Sequence, residues 1–195
     1  MQKDQIVRIF TKIPTLTTER LTLRRLKPSD YRDMFEYACR PEVTKYLLWE
    51  PHNSSQRTYD YLAYLQTLYR KRDFYDWAVV TNDEKKMIGT CGFTTLDFSH
   101  NAAEVGYVLN PRYWGRGIAT EAVRRVLDFA FRELNVRRVE AKYIIGNDAS
   151  RRVMEKCGFT YEGTLRRAYR MYDNNLREVR CYSMLREEYE NLYLE

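Results

Sequence analysis

The residues best suited to chemistry lie in one run, Glu104-Val105-Gly106-Tyr107-Val108-Leu109-Asn110-Pro111-Arg112-Tyr113-Trp114-Gly115-Arg116-Gly117-Ile118-Ala119-Thr120. An apolar strand enters a turn with two glycines, and an amphipathic helix begins at the second. Glycines at 115 and 117 remove Cβ atoms, so successive backbone N–H groups can converge on one point. That point is also the positive end of a helix dipole, so the loop reads as a phosphate site with the Arg116 charge alongside. It is not a P-loop, because no G-x-x-x-x-G-K-[ST] run exists. A dinucleotide fingerprint is also incomplete: Thr120 stands where the third small residue belongs, and the entering strand follows two hairpin-linked strands. A Gly-rich turn that holds no ligand is the bland alternative.

Other chemistries find little support. Cys39, Cys91, Cys157 and Cys181 are far apart in sequence, which suits buried or half-buried thiols rather than a disulfide framework. With only His52 and His100, a histidine-based zinc site is not expected, and no metal is implied. The absence of G-x-S-x-G argues against a hydrolase elbow.

The elements that must position the loop are legible around it. The 195 residues favour one domain, 1–195, with its core at about 17–190. A 44% hydrophobic, 31% charged composition suits a globular chain, and no apolar run approaches the ~18 residues of a membrane span. The segment MQKDQIVRIFTK lacks a signal peptide's apolar core, so a cytoplasmic protein is expected. The net charge of +6 favours acidic or phosphorylated partners without naming one.

Alternation over Thr18 to Leu26 predicts a strand, and Pro28-Ser29-Asp30 starts a helix with Ser29 as cap, ended by Arg40-Pro41. Ser54-Ser55 caps a second helix reaching about Lys71. Asp76 to Thr81, Met87 to Leu96 and Ala103 to Leu109 read as three hairpin-linked strands. A helix from about Ile118 to Leu134 follows, with Glu121–Arg125 and Asp128–Arg132 as ion pairs. Then come a strand over Val136 to Ile145, a short helix over Ser150 to Cys157 closed by Gly158, and a hairpin of Thr160 to Tyr169 with Glu178 to Leu185. The order β-α-α-β-β-β-α-β-α-β-β implies a mixed α/β domain with a largely antiparallel sheet.

Trp114-Gly-Arg-Gly-Ile-Ala119 resembles the acyl-CoA pyrophosphate loop of the GNAT acetyltransferases, Q/R-x-x-G-x-G/A, with Gly117 and Ala119 at the small positions. Trp114 departs from the pattern's Gln or Arg. The loop followed by Thr-Glu-Ala is similar to the RimJ/RimL branch, the N-terminal acetyltransferases of ribosomal proteins. Thr18-Glu-Arg-Leu-Thr-Leu-Arg24, Glu104-Val-Gly-Tyr107, Asn147-Asp-Ala-Ser150 with Met154-Glu-Lys-Cys-Gly-Phe159, and the hairpin after Glu162-Gly163 agree in order.

The resemblance implies a GNAT fold, a mixed, mostly antiparallel twisted sheet with helices on both faces and a splayed central strand pair. It implies acetyl-CoA as co-substrate, its pyrophosphate on the amides of Gly115, Arg116, Gly117, Ile118, Ala119 and Thr120. The pantetheine arm would pair along Tyr107, Val108 and Leu109, with Asn147 bonding it and the Val108 amide polarising the thioester carbonyl. The acceptor is a primary amine, preferably a protein N-terminus such as a ribosomal protein's, and Glu104 is the candidate base acting through water. Glu50 and Glu162 are secondary candidates. Met154 stands where many family members have the tyrosine that protonates the thiolate, so Ser150 takes that role unless it is only a helix cap. A small-molecule amine acceptor and a non-catalytic binder are the alternatives; the basic, aromatic stretch Arg166 to Arg180 could face RNA or simply solvent. Direct DNA binding and membrane association are not expected, and the oligomeric state is not readable.

Overall fold

A computed structural model describes residues 8–72 and 74–194. The described chain forms one eight-stranded sheet in the order β1-β2-β3-β4-β5-β6-β8-β7. The strands are β1 (Leu16–Thr17), β2 (Leu21–Arg24), β3 (Tyr75–Thr81), β4 (Met87–Asp97), β5 (Ala102–Leu109), β6 (Arg138–Ile144), β7 (Thr160–Arg170) and β8 (Leu176–Leu185). The helices are α1 (Tyr31–Ala38), α2 (Pro41–Thr44), α3 (Ser55–Lys71), α4 (Ile118–Asp128), α5 (Asp148–Lys156) and α6 (Arg186–Tyr193). Every neighbouring pair is antiparallel except β5 and β6, which are parallel. The mixed, mostly antiparallel architecture expected from the sequence is therefore present.

The parallel pair positions the site. Its register runs only from Ala102↔Arg138 to Val105↔Ala141. Beyond that point β5 stays paired with β4 as far as Leu109, and β6 stays paired with β8 as far as Ile144. The two central strands thus part company halfway along, leaving the edge of residues 106–109 facing a gap instead of β6.

Alternation along β3 sends consecutive side chains to opposite faces. Trp77 is fully buried on one face, 5.5 Å from Phe129 and 5.9 Å from Phe93 between ring centroids. Phe129 continues α4, whose last turn widens into a π-helix over Phe129–Glu133. Asp76 points to the other face, where α1 and α3 pack and the Tyr69 hydroxyl donates to the Asp76 carbonyl at 2.7 Å. Helices therefore cover both faces.

Several local expectations are corrected. The first strand is split into β1 and β2, because Thr18 turns the chain through bonds to the Leu21 backbone. Ser29 is not a cap; Asp30 anchors that turn, accepting from the Lys27 amide at 2.8 Å and from Arg24. Pro41 opens α2 rather than merely ending α1. Glu121 does not pair with Arg125 but with Arg20 at 2.5 Å, while Asp128–Arg132 forms at 3.4 Å. Helix α6 was not anticipated; its Tyr189 stacks on Phe131 at 4.7 Å. The four thiols are free, two buried and two partly buried, as expected. No helix among the described residues is long and apolar enough to cross a membrane.

Candidate active site

The loop after β5 is held by its flanks and left open at its centre. Asn110, 1% exposed, accepts from the Arg112 amide at 3.1 Å and so fixes the turn out of the strand. The Trp114 indole donates to the Leu109 carbonyl at 2.8 Å, stapling the loop to the strand end. This gives the departure at Trp114 a local structural role and takes the Leu109 carbonyl out of the free strand edge. Gly115 and Gly117 adopt φ of 72° and 75°, the left-handed region in which a side chain is strained. A Cβ at Gly115 would meet nothing within 4 Å, so the glycine is there for backbone shape and approach, not for packing. Gly117 caps α4 without a side-chain partner, leaving the first-turn amides of Ile118, Ala119 and Thr120 at the open end. Arg116 lies over the Tyr113 ring at 5.4 Å.

A second cation at this loop was missed in the sequence. The Arg20 guanidinium donates to the Arg116 carbonyl at 3.1 Å and lies 3.7 Å from where a Gly117 Cβ would stand. Glu121 holds it there, with Thr18 bonding the same carboxylate at 2.5 Å. A lone arginine in a strand pattern carries no signal that it will reach a loop about a hundred residues away.

The gap between β5 and β6 opens from this loop. On one side, the Tyr107 hydroxyl donates to the Ser150 carbonyl at 3.2 Å, tying β5 to the start of α5. Asn147 caps α5, accepting from the Ser150 amide at 3.2 Å, so Ser150 is a helical residue and not the cap. The Ser150 side chain also bonds the Tyr107 phenol, and both Asn147 and Ser150 line the cavity that fills the gap. Tyr107, Val108, Glu104 and Lys142 line it too.

A glycine-bounded helix start thus lies beside a broken parallel strand pair. Residues 20–160 match the model of the acetyltransferase (GNAT) domain. The chain belongs to the GNAT acetyltransferase family. It is 35% identical to the N-acetyltransferase p20 of Bacillus licheniformis over 175 residues, 90% of this chain and 98% of that one. A spermidine N(1)-acetyltransferase of Vibrio cholerae is 27% identical over 88% of this chain and 96% of its own. Among solved structures, a ribosomal-protein-S5-alanine acetyltransferase from Vibrio fischeri superimposes with a TM-score of 0.73 at 26% identity, covering 90% of this chain and 98% of that chain. The protein is thus an acetyl-CoA-dependent N-acetyltransferase acting on an amine, and its glycine loop and gap fit that co-substrate.

The same cavity, about 800 Å³, takes its walls from α1, the loop before α3, α3 itself, strands β3 to β7 and the start of α5. Trp49, His52 and Tyr169 line it, whereas Glu50, the secondary base candidate, and Arg166, Arg167, Arg170 and Tyr172 of the basic closing hairpin do not. His52 bonds Thr58 at 2.8 Å and is pushed down by burial and by Arg57. Glu104 sits 2.5 Å from the Lys142 ammonium. Burial alone would lower Lys142, but its bond to Glu104 and the charge of Glu140 outweigh that and raise it, so Lys142 keeps its proton. Glu162 is spent elsewhere: bonds from Arg138 and Ser183 hold its carboxyl down at about 2.

Sequence reasoning missed the other carboxylate in the cavity. Asp76 sits opposite Gly92, and its Oδ1 accepts from the Trp77 amide at 2.9 Å. Burial pushes the Asp76 carboxyl up to about 7, against the pull of the Trp77 amide and the Thr90 hydroxyl. Burial together with the Asp76 charge raises the Tyr61 phenol to about 12, and the same two influences raise Tyr37. The only hint in the sequence was an acid at the head of an otherwise apolar strand, DWAVV.

Proposed function

We propose that this enzyme transfers acetyl from acetyl-CoA to the α-amine of a peptide or protein N-terminus. The observation that carries the choice of acceptor is the Glu104–Lys142 ion pair at 2.5 Å, which leaves the carboxylate on the strand bordering the gap a paired one. An α-amine with pKa ~7.8 costs only about 1 kcal/mol to deprotonate at pH 7, whereas a lysine at ~10.4 costs about 4.6 kcal/mol. A site with a modest, ion-paired carboxylate suits the first and not the second. The ribosomal-protein acetyltransferase among its structural neighbours supports the same reading.

In this reading the amides of Gly115 to Thr120 hold the pyrophosphate, with Arg116 and Arg20 beside it. The pantetheine arm runs in the gap as an added strand, using the free edge at Tyr107 and the Asn147 amide nitrogen, while Val108 alternates toward β4. The expected donor to the thioester carbonyl, the Val108 amide, faces Thr90 on β4, so the strand donor on the gap side is the neighbouring Leu109 amide. The neutral amine attacks that carbonyl carbon, and the excess proton leaves through water toward Glu104. The C–S bond breaks as the tetrahedral carbon collapses, and the Ser150 hydroxyl relays a proton to the departing thiolate, taking one back from water as it gives its own. Tyr107 fixes the Ser150 backbone and so positions that hydroxyl.

The test is thiol release from acetyl-CoA with two peptide sets, one with a free α-amine and no lysine, one with a blocked α-amine and one lysine. Turnover of the first set alone is the expected result. Turnover of the blocked lysine peptides alone would overturn the choice of acceptor. No binding of acetyl-CoA in calorimetric titration would remove the reaction itself.

A further inference from the structure

Glu121 is out of place on electrostatic grounds alone. It stands in the first turn of α4, the helix whose N-terminus is to receive a phosphate. A carboxylate there suits the helix dipole but repels a bound anion. Its contacts point to a different task. Glu121 Oε1 accepts from the Thr18 hydroxyl at 2.5 Å and from the Arg20 amide at 3.1 Å. Glu121 Oε2 accepts from Arg20 Nε at 2.6 Å and from Nη2 at 2.5 Å. Burial would raise the Glu121 carboxyl, but these donors outweigh it and lower it, so the group stays ionised. The Arg20 side chain is 47% exposed, so these bonds and not packing hold it in place.

The held guanidinium has one further partner, the Arg116 carbonyl, reached by Nη1 at 3.1 Å. That carbonyl and the Gly117 N–H belong to one planar trans peptide and point in opposite directions. With the carbonyl turned to Arg20, the N–H faces away from it and meets no acceptor among the described residues. Nothing in Gly117 itself enforces this. A residue without Cβ accepts φ of either sign, so its 75° can reverse and turn the 116–117 peptide over. The overturned peptide would aim a carbonyl oxygen, not an N–H, at a bound phosphate. The turn carrying Arg20 is braced from its other side. Asn82 donates its backbone N–H to the Arg20 carbonyl at 2.8 Å and its side chain to the Thr18 and Glu19 carbonyls at 3.2 and 3.0 Å.

We propose that Thr18, Arg20 and Glu121 form a clamp that sets the orientation of the 116–117 peptide, so that Gly117 presents its N–H to the pyrophosphate. Arg20 is then a positioning residue. Its fork is filled by Glu121, and it acts through the backbone, not as a charge laid on the phosphate. The proposal rests on the acetyl-CoA reading above and deepens it. It also fixes the sign of one effect: removing the negative charge of Glu121 weakens CoA binding, where simple repulsion would have it strengthen.

The experiment is calorimetric titration of CoA into the wild type, Arg20→Ala, Arg20→Lys and Glu121→Ala, with each thermal midpoint recorded to show that the variant folds. Arg20→Ala and Glu121→Ala should each weaken CoA binding by roughly 10-fold, as when about a tenth of the molecules hold the competent loop. Arg20→Lys should behave like Arg20→Ala, because an ammonium lacks the planar fork that grips the carboxylate while reaching the carbonyl. A second readout separates a clamp from a general loss of structure. In isotope-labelled protein without CoA, the Gly117 amide resonance should shift or broaden in each variant while that of buried Val79 on β3 holds. Unchanged affinity in the variants, or tighter binding in Glu121→Ala, overturns the clamp. Full rescue by Arg20→Lys overturns it in favour of a direct charge contact. A Gly117 resonance that stays put while affinity falls overturns it too. No CoA binding by the wild type would instead defeat the co-substrate reading, with the Gly117 resonance still reporting whether the clamp sets the peptide.

Discussion

The two halves of this site are built from different material. The half we propose for the co-substrate is mostly backbone: the amides of one loop, the free edge of one strand and a helix start, within residues 106–120, with Arg20 and Asn147 beside them. The half we propose for the acceptor is side chains brought from α1, the loop before α3, α3 itself, strands β3 to β7 and the start of α5. Backbone geometry depends on a few glycines and a strand register, so it survives wide change in sequence. A pocket of side chains changes whenever any contributor does. The same fold can therefore keep one co-substrate while its acceptors diverge. Relatives named for spermidine and for a ribosomal protein, both within reach of this chain, fit that division.

The largest expected effect falls on the backbone half. Gly117→Glu places a carboxylate where the pyrophosphate should sit and should weaken acetyl-CoA binding by ~100-fold or more, read by calorimetry. The fold should survive, because a Cβ there meets only Arg20 at 3.7 Å and the positive φ costs about 1 to 2 kcal/mol. Undiminished affinity in a folded variant would break the comparison, since the loop would then not be the phosphate cradle.

Next in size is an effect on stability at Asp76. Its carboxyl titrates at about 7 in the folded chain against an ordinary 3.8, so folding disfavours the ionised form. The cost is absent below about pH 4, grows as pH rises toward 7 and is complete above it. Asp76→Asn should therefore raise stability by on the order of 2 kcal/mol at pH 8 and leave it nearly unchanged at pH 4. Thermal midpoints at the two pH values check this. A midpoint that falls at pH 8 would mean that Asp76 supports the fold rather than straining it, and the contrast between the two halves would lose its sharpest member.

What could be read before the structure divides along the same line. The helix start and the glycines are local features, legible as a single run of residues, whereas the splayed strand pair was expected only from the family resemblance. Arg20, Tyr61 and Asp76 were not, because their roles depend on which strands and helices become neighbours. Asp76 looked like the polar first residue of a strand, and Arg20 like its solvent face. Glu121 shows the same limit: i,i+4 spacing pointed to Arg125, yet the nearer partner in space is Arg20 at 2.5 Å. Local rules cannot weigh a partner from another strand against one a helical turn away.

The smallest effects separate chemistry from capping at one helix. Asn147 accepts from the Ser150 amide at 3.2 Å and ends α5, so Asn147→Ala should cost about 1 kcal/mol of stability. Its amide nitrogen also faces the co-substrate half, so the KM for acetyl-CoA should rise modestly. Ser150→Ala removes no cap and leaves Met154 buried beneath it, so the thermal midpoint should hold. If the Ser150 hydroxyl protonates the thiolate, kcat should fall about 10-fold or more while KM for acetyl-CoA stays nearly constant. A drop in the midpoint with unchanged kcat would move Ser150 from the reaction to the scaffold. The proton would then have to come from a neighbour, and Tyr107, whose hydroxyl lies 3.2 Å from the Ser150 carbonyl, is the group best placed to supply it.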